Sequence, residues 1–280
     1  MNFGTNCPLC NSNRLIFNFR EGNRDLYSCE NCDLHFVNPY VQNEVNRNPL
    51  NSDKQFLSEK FAVNFYLPYI KNSIENKRSL LDIGCGCGEL MNRCKELNIK
   101  QVEGLENDLE RINFAKKNTN CLIIDKEFSA FTSDQKYDVI TLINVISHIP
   151  NLNDFFLRVG NFLNSNGKLI IKTGLMMNGF KRKNGYDWQI PEHIHFFGEN
   201  TSDFIAKKFD FKLEKKIMIP LAEELISKEY LLSPSRSSIM NFCKKFVLGI
   251  PFGPKFIKTL YTKYTKNKLF TIIMIFENKL

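Results

Sequence analysis

The sequence predicts an α/β protein, a mostly parallel sheet with helices on both faces, preceded by a small metal-binding module. Three observations carry this. Residues 80–88, Leu-Leu-Asp-Ile-Gly-Cys-Gly-Cys-Gly, join a short apolar run to a glycine turn and then to a stretch of good helix formers. Apolar runs of strand length then alternate with helical periodicities towards residue 220, the pattern of a parallel sheet with helical crossovers. Near the amino terminus stand two Cys-x-x-Cys pairs.

Residues 1–40 carry Cys7-Pro8-Leu9-Cys10 and Cys29-Glu30-Asn31-Cys32, with residues 11–28 between the inner cysteines. A Cys-x-x-Cys turn aims two thiolates at one point, and two such turns complete a tetrahedral site with no open position. The spacing therefore predicts a structural Zn2+ on Cys7, Cys10, Cys29 and Cys32, against the competing readings of incidental cysteines or a redox pair. Leu15 to Phe19 and Tyr27 supply strands for a hairpin, and Leu34 to Val37 pairs next. So small a module has little core, so metal binding supplies most of its folding free energy. His35 reads as a strand residue and not a ligand, because four thiolates suffice.

Residues 41–55, Asn-rich and containing Pro49, read as a linker, and 56–280 as the main domain. A helix over Phe56 to Ile74, interrupted near Pro68, sets Phe61, Phe65 and Tyr69 at spacing four, as core or as a lid. Leu80 to Ile83 is the first strand of the sheet, and Glu89 to Leu97 the helix after the loop, with Leu90, Met91, Cys94 and Leu97 on one face. Gly84, Gly86 and Gly88 are spaced Gly-x-Gly-x-Gly, which departs from the dinucleotide fingerprint, so the ligand need not carry a pyrophosphate. Gln101 to Leu105 is the second strand. Glu106 at its end is placed to accept hydrogen bonds from both hydroxyls of a ribose. The competing reading makes the glycines a tight turn and Glu106 a solvated loop acid.

Asp108 to Asn118 is helical, with Leu109, Ile112 and Ala115 on its apolar side, and Asn120 to Ile124 is the third strand, ending at Asp125. Tyr137 to Ile143 is a near-continuous apolar run suited to the sheet centre, and it delivers Asn144, Ser147 and His148 to the edge that bears the glycine loop. Leu152 to Leu163 is the next helix, closed by a turn at Asn164 to Gly167, and Lys168 to Lys172 is the fifth strand. Residues 175–185 are a mixed, basic loop. Residues 186–197, Tyr-Asp-Trp-Gln-Ile-Pro-Glu-His-Ile-His-Phe-Phe, hold the Glu192–His193 neighbour pair among aromatics, a base with carboxylate support and ring faces that can stack on a sugar. The alternative has these histidines cap the helix at Thr201 to Lys208. Phe211 to Ile219 and Leu269 to Phe276 read as antiparallel strands flanking a basic, largely helical insertion at about 221–266.

A composition 43% hydrophobic and 24% charged excludes a disordered or fibrous chain. The net charge of +8 is spread over scattered lysines without a compact basic block, which disfavours a nucleic-acid partner. The amino terminus lacks a basic and an apolar signal region, no apolar run is long enough for a transmembrane segment, and the cysteine pattern suits reduced thiols. The expected location is cytoplasmic.

Leu-Asp-Ile-Gly-Cys-Gly-x-Gly, Glu106 and the run Tyr137-Asp138-Val139-Ile140 resemble the class I S-adenosylmethionine-dependent methyltransferases, over about residues 60–280. The resemblance implies a Rossmann-like, seven-stranded, mostly parallel sheet. It puts Asp82, Gly84, Cys85, Gly86 and Gly88 at the methionine end of S-adenosyl-L-methionine, Glu106 with Asn107 at the ribose, and Asp125 and Lys126 at the adenine. It adds Asn144 as a cofactor-side residue. The family commonly carries acids where this chain has Asn144 and Ser147, but His148 is kept, as a base or as a packed structural residue.

The segment Cys29-x-x-Cys32-x-x-x-Phe36-Val37-Asn38-Pro39 resembles the zinc-ribbon head of a bacterial group that includes sugar C-methyltransferases. In that group a Glu-His pair supplies the acid-base residue, and Glu192 and His193 match it. These resemblances imply methyl transfer to oxygen or carbon of a small acceptor, a sugar or sugar-nucleotide of surface polysaccharide or natural-product biosynthesis, with His193, Glu192 or His148 moving the proton. The alternatives are an RNA methyltransferase gripping through the ribbon and its basic surface, or a cofactor-binding protein without turnover. Oligomeric state is left open.

Overall fold

The structure, a computed structural model, describes residues 6–39, 52–177, 193–232, 238–249 and 269–279. The chain opens on β1 (Leu15–Glu21), β2 (Arg24–Cys29) and β3 (Leu34–Asn38), then α1 (Ser52–Ile74), β4 (Ser79–Ile83), α2 (Glu89–Glu96), β5 (Gln101–Glu106), α3 (Leu109–Asn118) and β6 (Leu122–Asp125). It continues with β7 (Tyr137–Ile143), α4 (Leu152–Val159), β8 (Leu163–Met176), β9 (His195–Phe197), α5 (Thr201–Lys208) and β10 (Phe211–Pro220). Last come α6 (Leu221–Ile226), α7 (Lys228–Leu232), α8 (Ser238–Gly249) and β11 (Leu269–Asn278). The chain divides into two compact units, residues 1–48, 142–218 and 268–280 in the first, and 49–141 and 219–267 in the second.

In the second unit β4 is flanked by β5 and by β7 up to Thr141, and β6 follows β5, all parallel. Every residue of β4 is buried, Ser79 and Asp82 included, as befits a strand between two parallel neighbours. Asp108 caps α3, its carboxylate accepting from the Arg111 amide at 3.1 Å. Ile112 and Ala115 face inward as expected, whereas Leu109 is exposed.

α1 starts at Ser52, before the expected Phe56, and Pro68 sits inside it without ending it. Its buried stripe is Val63, Tyr66, Ile70 and Ile74, not Phe61, Phe65 and Tyr69. At about 100° per residue the two sets fall on nearly opposite faces of α1, and helical spacing alone does not say which face packs inward.

In the first unit β1, β2 and β3 form an antiparallel meander, and Gly22, with φ 61°, makes the tight β1–β2 turn possible. β3 pairs antiparallel with β9, and β9 runs parallel to β8. β11 lies antiparallel to β8 from Lys168 to Met176 and also pairs with β10. The expected turn at Asn164 to Gly167 is instead part of β8, where Asn166 takes a left-handed φ of 59° as an irregularity within the strand.

The described strands number eleven where the resemblance implied seven. β1, β2, β3 and β9 are the excess. The fold is mixed α/β with a mostly parallel sheet. Among the described residues no helix is long and apolar enough to cross a membrane.

Candidate functional site

β4 delivers Asp82 and the glycine loop in the second unit. The amides of Gly84 and Cys85 both donate to the Leu105 carbonyl, at 2.8 and 3.0 Å, which draws the loop onto the end of β5. Gly104, in register with Asp82, allows that approach: a Cβ there would meet Cys85 Sγ at 2.6 Å and Met91 Sδ at 2.7 Å. Gly88, at φ 86°, turns the chain into α2.

Glu106 ends β5 with its carboxylate fixed by three backbone donors. Oε2 accepts from the Gly86 amide at 3.0 Å, and Oε1 from the amides of Asn107 and Asp108 at 2.9 and 3.1 Å. Asp125 is in register with Glu106 at the end of β6, and Asp125 and Lys126 are both exposed. Asn107 Nδ2 donates to Glu127 Oε1 at 3.0 Å. The glycine-loop residues, Asp82, Glu106, Asn107 and Asp125 are thus brought to the carboxyl ends of adjacent parallel strands, where an open α/β sheet binds its ligands.

The electrostatics are acidic. Asp82 is buried and accepts from Thr141 Oγ1 at 2.6 Å. Burial pushes its carboxyl up to about 7 against that hydrogen bond, and the charges of Glu59 and Glu106 raise it further. Glu59 of α1 accepts from the Cys87 amide at 2.8 Å, and burial raises its carboxyl too. Burial also pushes the thiols of Cys85 and Cys87 far up, which disfavours a reactive thiolate at either. Acceptor-rich walls around a strand-end carboxylate suit a cationic ligand that bears a ribose.

The first unit holds the remaining candidates. Ile146–His148 is a short 3-10 turn after β7, and His148 is exposed. His193 leads into β9, and its ring centroid lies 4.8 Å from that of His148. The Ile194 amide donates to the Ser147 carbonyl at 2.9 Å, which fixes the two segments together. Asn144, at φ 58°, accepts from Lys172 Nζ at 3.3 Å. Glu192 lies outside the described residues, as do Asp187 and Trp188. His195 is buried, its Nε2 3.3 Å from the Pro150 carbonyl, and burial pushes it down to about 4. It is neutral and does not cap α5.

In the same unit Cys7, Cys10, Cys29 and Cys32 converge, with all four sulfurs within 4.8 Å of one another. The closest pairs are Cys10–Cys29 at 3.4 Å and Cys7–Cys32 at 3.5 Å. A tetrahedral zinc with bonds of about 2.3 Å needs sulfurs about 3.8 Å apart, so this donor set fits that ion. Within the cluster, hydrogen bonds from Cys32 and Cys7 hold the Cys29 thiol well below its usual range, while the same contacts and burial raise those of Cys7 and Cys32, so Cys29 gives up its proton first. His35 stands outside the cluster, its Nδ1 2.7 Å from Ser28 Oγ.

Sequence reasoning missed Glu59, Gln55, Thr141 and Lys172. Thr141 lay in view as a polar residue in the apolar fourth strand, but nothing local marked Glu59 on its helix.

Residues 50–216 match a family described as a methyltransferase domain, more than half of the chain. Ubiquinone biosynthesis O-methyltransferases of Rickettsia akari and Rickettsia conorii are similar at 26% identity over 155 residues and 27% over 193, covering 54% and 63% of this chain. The chain spans 58% and 65% of those two relatives. Among solved structures, geranyl diphosphate C-methyltransferase from Streptomyces coelicolor, in complex with Mg2+, geranyl diphosphate and S-adenosyl-L-homocysteine, aligns at TM-score 0.57 with 12% identity, covering 77% of this chain and 79% of that one. At that identity the likeness is one of fold.

Proposed function

Because the chain belongs to the methyltransferase-domain family, we propose that it transfers the methyl group of S-adenosylmethionine to a small-molecule acceptor. The observation that carries this reading is the carboxylate of Glu106, held by the amides of Gly86, Asn107 and Asp108 at the end of β5, beside a glycine loop built for close approach. The S-adenosyl-L-homocysteine in the aligned geranyl diphosphate enzyme supports the choice of donor.

Asp82, Gly84, Cys85, Gly86 and Gly88 would hold the methionine end, Glu106 and Asn107 the ribose, and Asp125 and Lys126 the adenine. Asn144 is assigned to the cofactor side on resemblance alone. The donor supplies an electrophilic methyl; the chain holds the reactants in line and removes a proton from the acceptor. His193 and His148 are the proposed bases, with Glu192 in support. The acceptor we favour is sugar-like, a reading supported by the Glu192–His193 pair before Phe196 and Phe197. Cys7, Cys10, Cys29 and Cys32 would hold one structural Zn2+ in the N-terminal hairpin, and a reducing, cytoplasmic setting suits those thiols.

Calorimetric titration with S-adenosylmethionine and S-adenosylhomocysteine tests the reading. Both are expected to bind the zinc-replete protein, and Glu106→Ala to abolish binding. No binding of either by the wild type overturns it.

A further inference from the structure

We infer that Glu59 belongs to the donor site, as the carboxylate through which α1 reads the positive charge of the bound donor. This rests on the reading of the glycine loop as an S-adenosylmethionine site. It goes beyond that reading by adding a residue and a selectivity.

The geometry is specific. Successive amides of the glycine loop are taken by different acids: Gly86 donates to Glu106 at 3.0 Å and Cys87 to Glu59 at 2.8 Å. A Cβ on Gly86 would lie 2.6 Å from Glu59 Oε1, so the glycine at that position is needed for the approach of this carboxylate. Gln55, one turn earlier on α1, donates its amide to Glu59 Oε1 at 3.2 Å. The other end of the same side chain, Gln55 Oε1, is buried with no hydrogen-bond partner. An orphaned acceptor beside a carboxylate asks for a donor, and a buried carbonyl oxygen left so is costly until one arrives.

Asp82, on β4 just before the loop, is a third carboxylate here; the charge of Arg111 reaches Glu59 and lowers its carboxyl somewhat, but among the described residues none of the three acids is within ion-pair distance of a lysine or arginine. Their mutual repulsion and desolvation are relieved by a bound cation. S-adenosylmethionine carries an ammonium, a sulfonium and one carboxylate, a net charge of +1. Methyl transfer takes the charge from sulfur, and the product thioether is neutral overall. A site lined by acids therefore favours the donor and loosens its hold once the methyl has left.

The test is calorimetric titration with S-adenosylmethionine, with sinefungin, which keeps a positive charge where the methyl-sulfonium stood, and with S-adenosylhomocysteine. Glu59→Gln keeps an acceptor for the Cys87 amide and removes the charge. It is expected to weaken the two charged ligands relative to the neutral product by about tenfold, as loss of one nearby charge at intermediate dielectric implies. Gln55→Lys, a change at the first turns of α1, sets an intramolecular ammonium against Glu59 and is expected to shift the ratio the same way if Glu59→Gln does not fold.

Equal effects on all three ligands, or none, in a cooperatively folded variant overturn the role of Glu59 and leave the donor site standing. Failure of all three to bind the wild type removes the donor site, and the inference with it.

Discussion

The imidazoles of His148 and His193 face each other with ring centroids 4.8 Å apart and planes inclined by 45°. The two sit on different elements, a 3-10 turn after β7 and the lead into β9, tied by the Ile194–Ser147 backbone hydrogen bond. Paired imidazoles can share a proton, so in the proposed reaction one would serve as base and the other would steady the cation that results. His193→Ala and His148→Ala should each lower turnover by about a hundredfold. The double variant should fall little further, because the residues act as a unit. S-adenosylhomocysteine release measures turnover, and donor titration should show affinity intact. Full turnover in both single variants would take the pair out of the chemistry.

Asp82 gives the donor site a pH dependence with a definite sign. Its folded carboxyl stands at about 7 against an ordinary value of 3.8, raised by burial and by Glu59 and Glu106, with the Thr141 hydrogen bond opposing. Between those values the folded chain holds a proton that the unfolded chain has released. The stability this provides is complete below about pH 4 and is lost as pH rises through about 7. A bound cation reverses the preference, because it favours the ionised acid. Melting temperature without ligand should therefore fall from about pH 5 to about pH 8 while donor affinity rises, and Asp82→Asn should flatten both trends. A donor affinity that falls with pH over that range would contradict the assignment.

Four sulfurs within 4.8 Å of one another suit a zinc ion, and on the proposed reading the N-terminal meander would depend on it. Elemental analysis should find about one zinc per chain. Chelation, or Cys29→Ser, should lower the melting temperature and weaken the amide protection of β1 to β3, since metal binding in so small a module is folding free energy. Wild-type protein that folds with full protection and no metal would show the cluster to be thiols alone.

Much of this was legible because the signals were local. Leu80 to Gly88 states strand, turn and helix in nine adjacent positions, and Glu106 needed only the end of the next strand. The duplicated cysteine spacing announced a four-sulfur cluster for the same reason. Glu59 was illegible because its role depends on where α1 lies against the glycine loop, which no periodicity encodes. The aromatic row Phe61, Phe65 and Tyr69 misled because helical spacing marks a face without saying whether it packs inward, and the polar composition of Asn164 to Gly167 hid a strand that tolerates one left-handed residue. Of the four added strands, β1, β2 and β3 are the meander whose segments the sequence showed, and β9 was not seen; β3 pairs β9 in the same unit. Such pairing across distant sequence is invisible to local patterns.

Gly104 shows how tightly that loop is specified. It lies in β5 opposite Asp82, and a methyl there would press on Cys85 Sγ at 2.6 Å and Cys85 Cβ at 2.8 Å. The Met91 sulfur, at 2.7 Å, lies far along a flexible side chain and can give way, but Cβ of Cys85 can move only with the loop backbone. Gly104→Ala should therefore cost about 1–3 kcal/mol in urea unfolding and also weaken the donor, since the displaced loop carries the Gly86 amide that orients Glu106. Cys85→Gly removes both obstructing Cys85 atoms. Made together, the two changes should destabilise less than the sum of the single variants, as contacting residues that relieve a shared clash do. Strict additivity would mean that Gly104 is not required by Cys85, and that the loop reaches β5 for another reason.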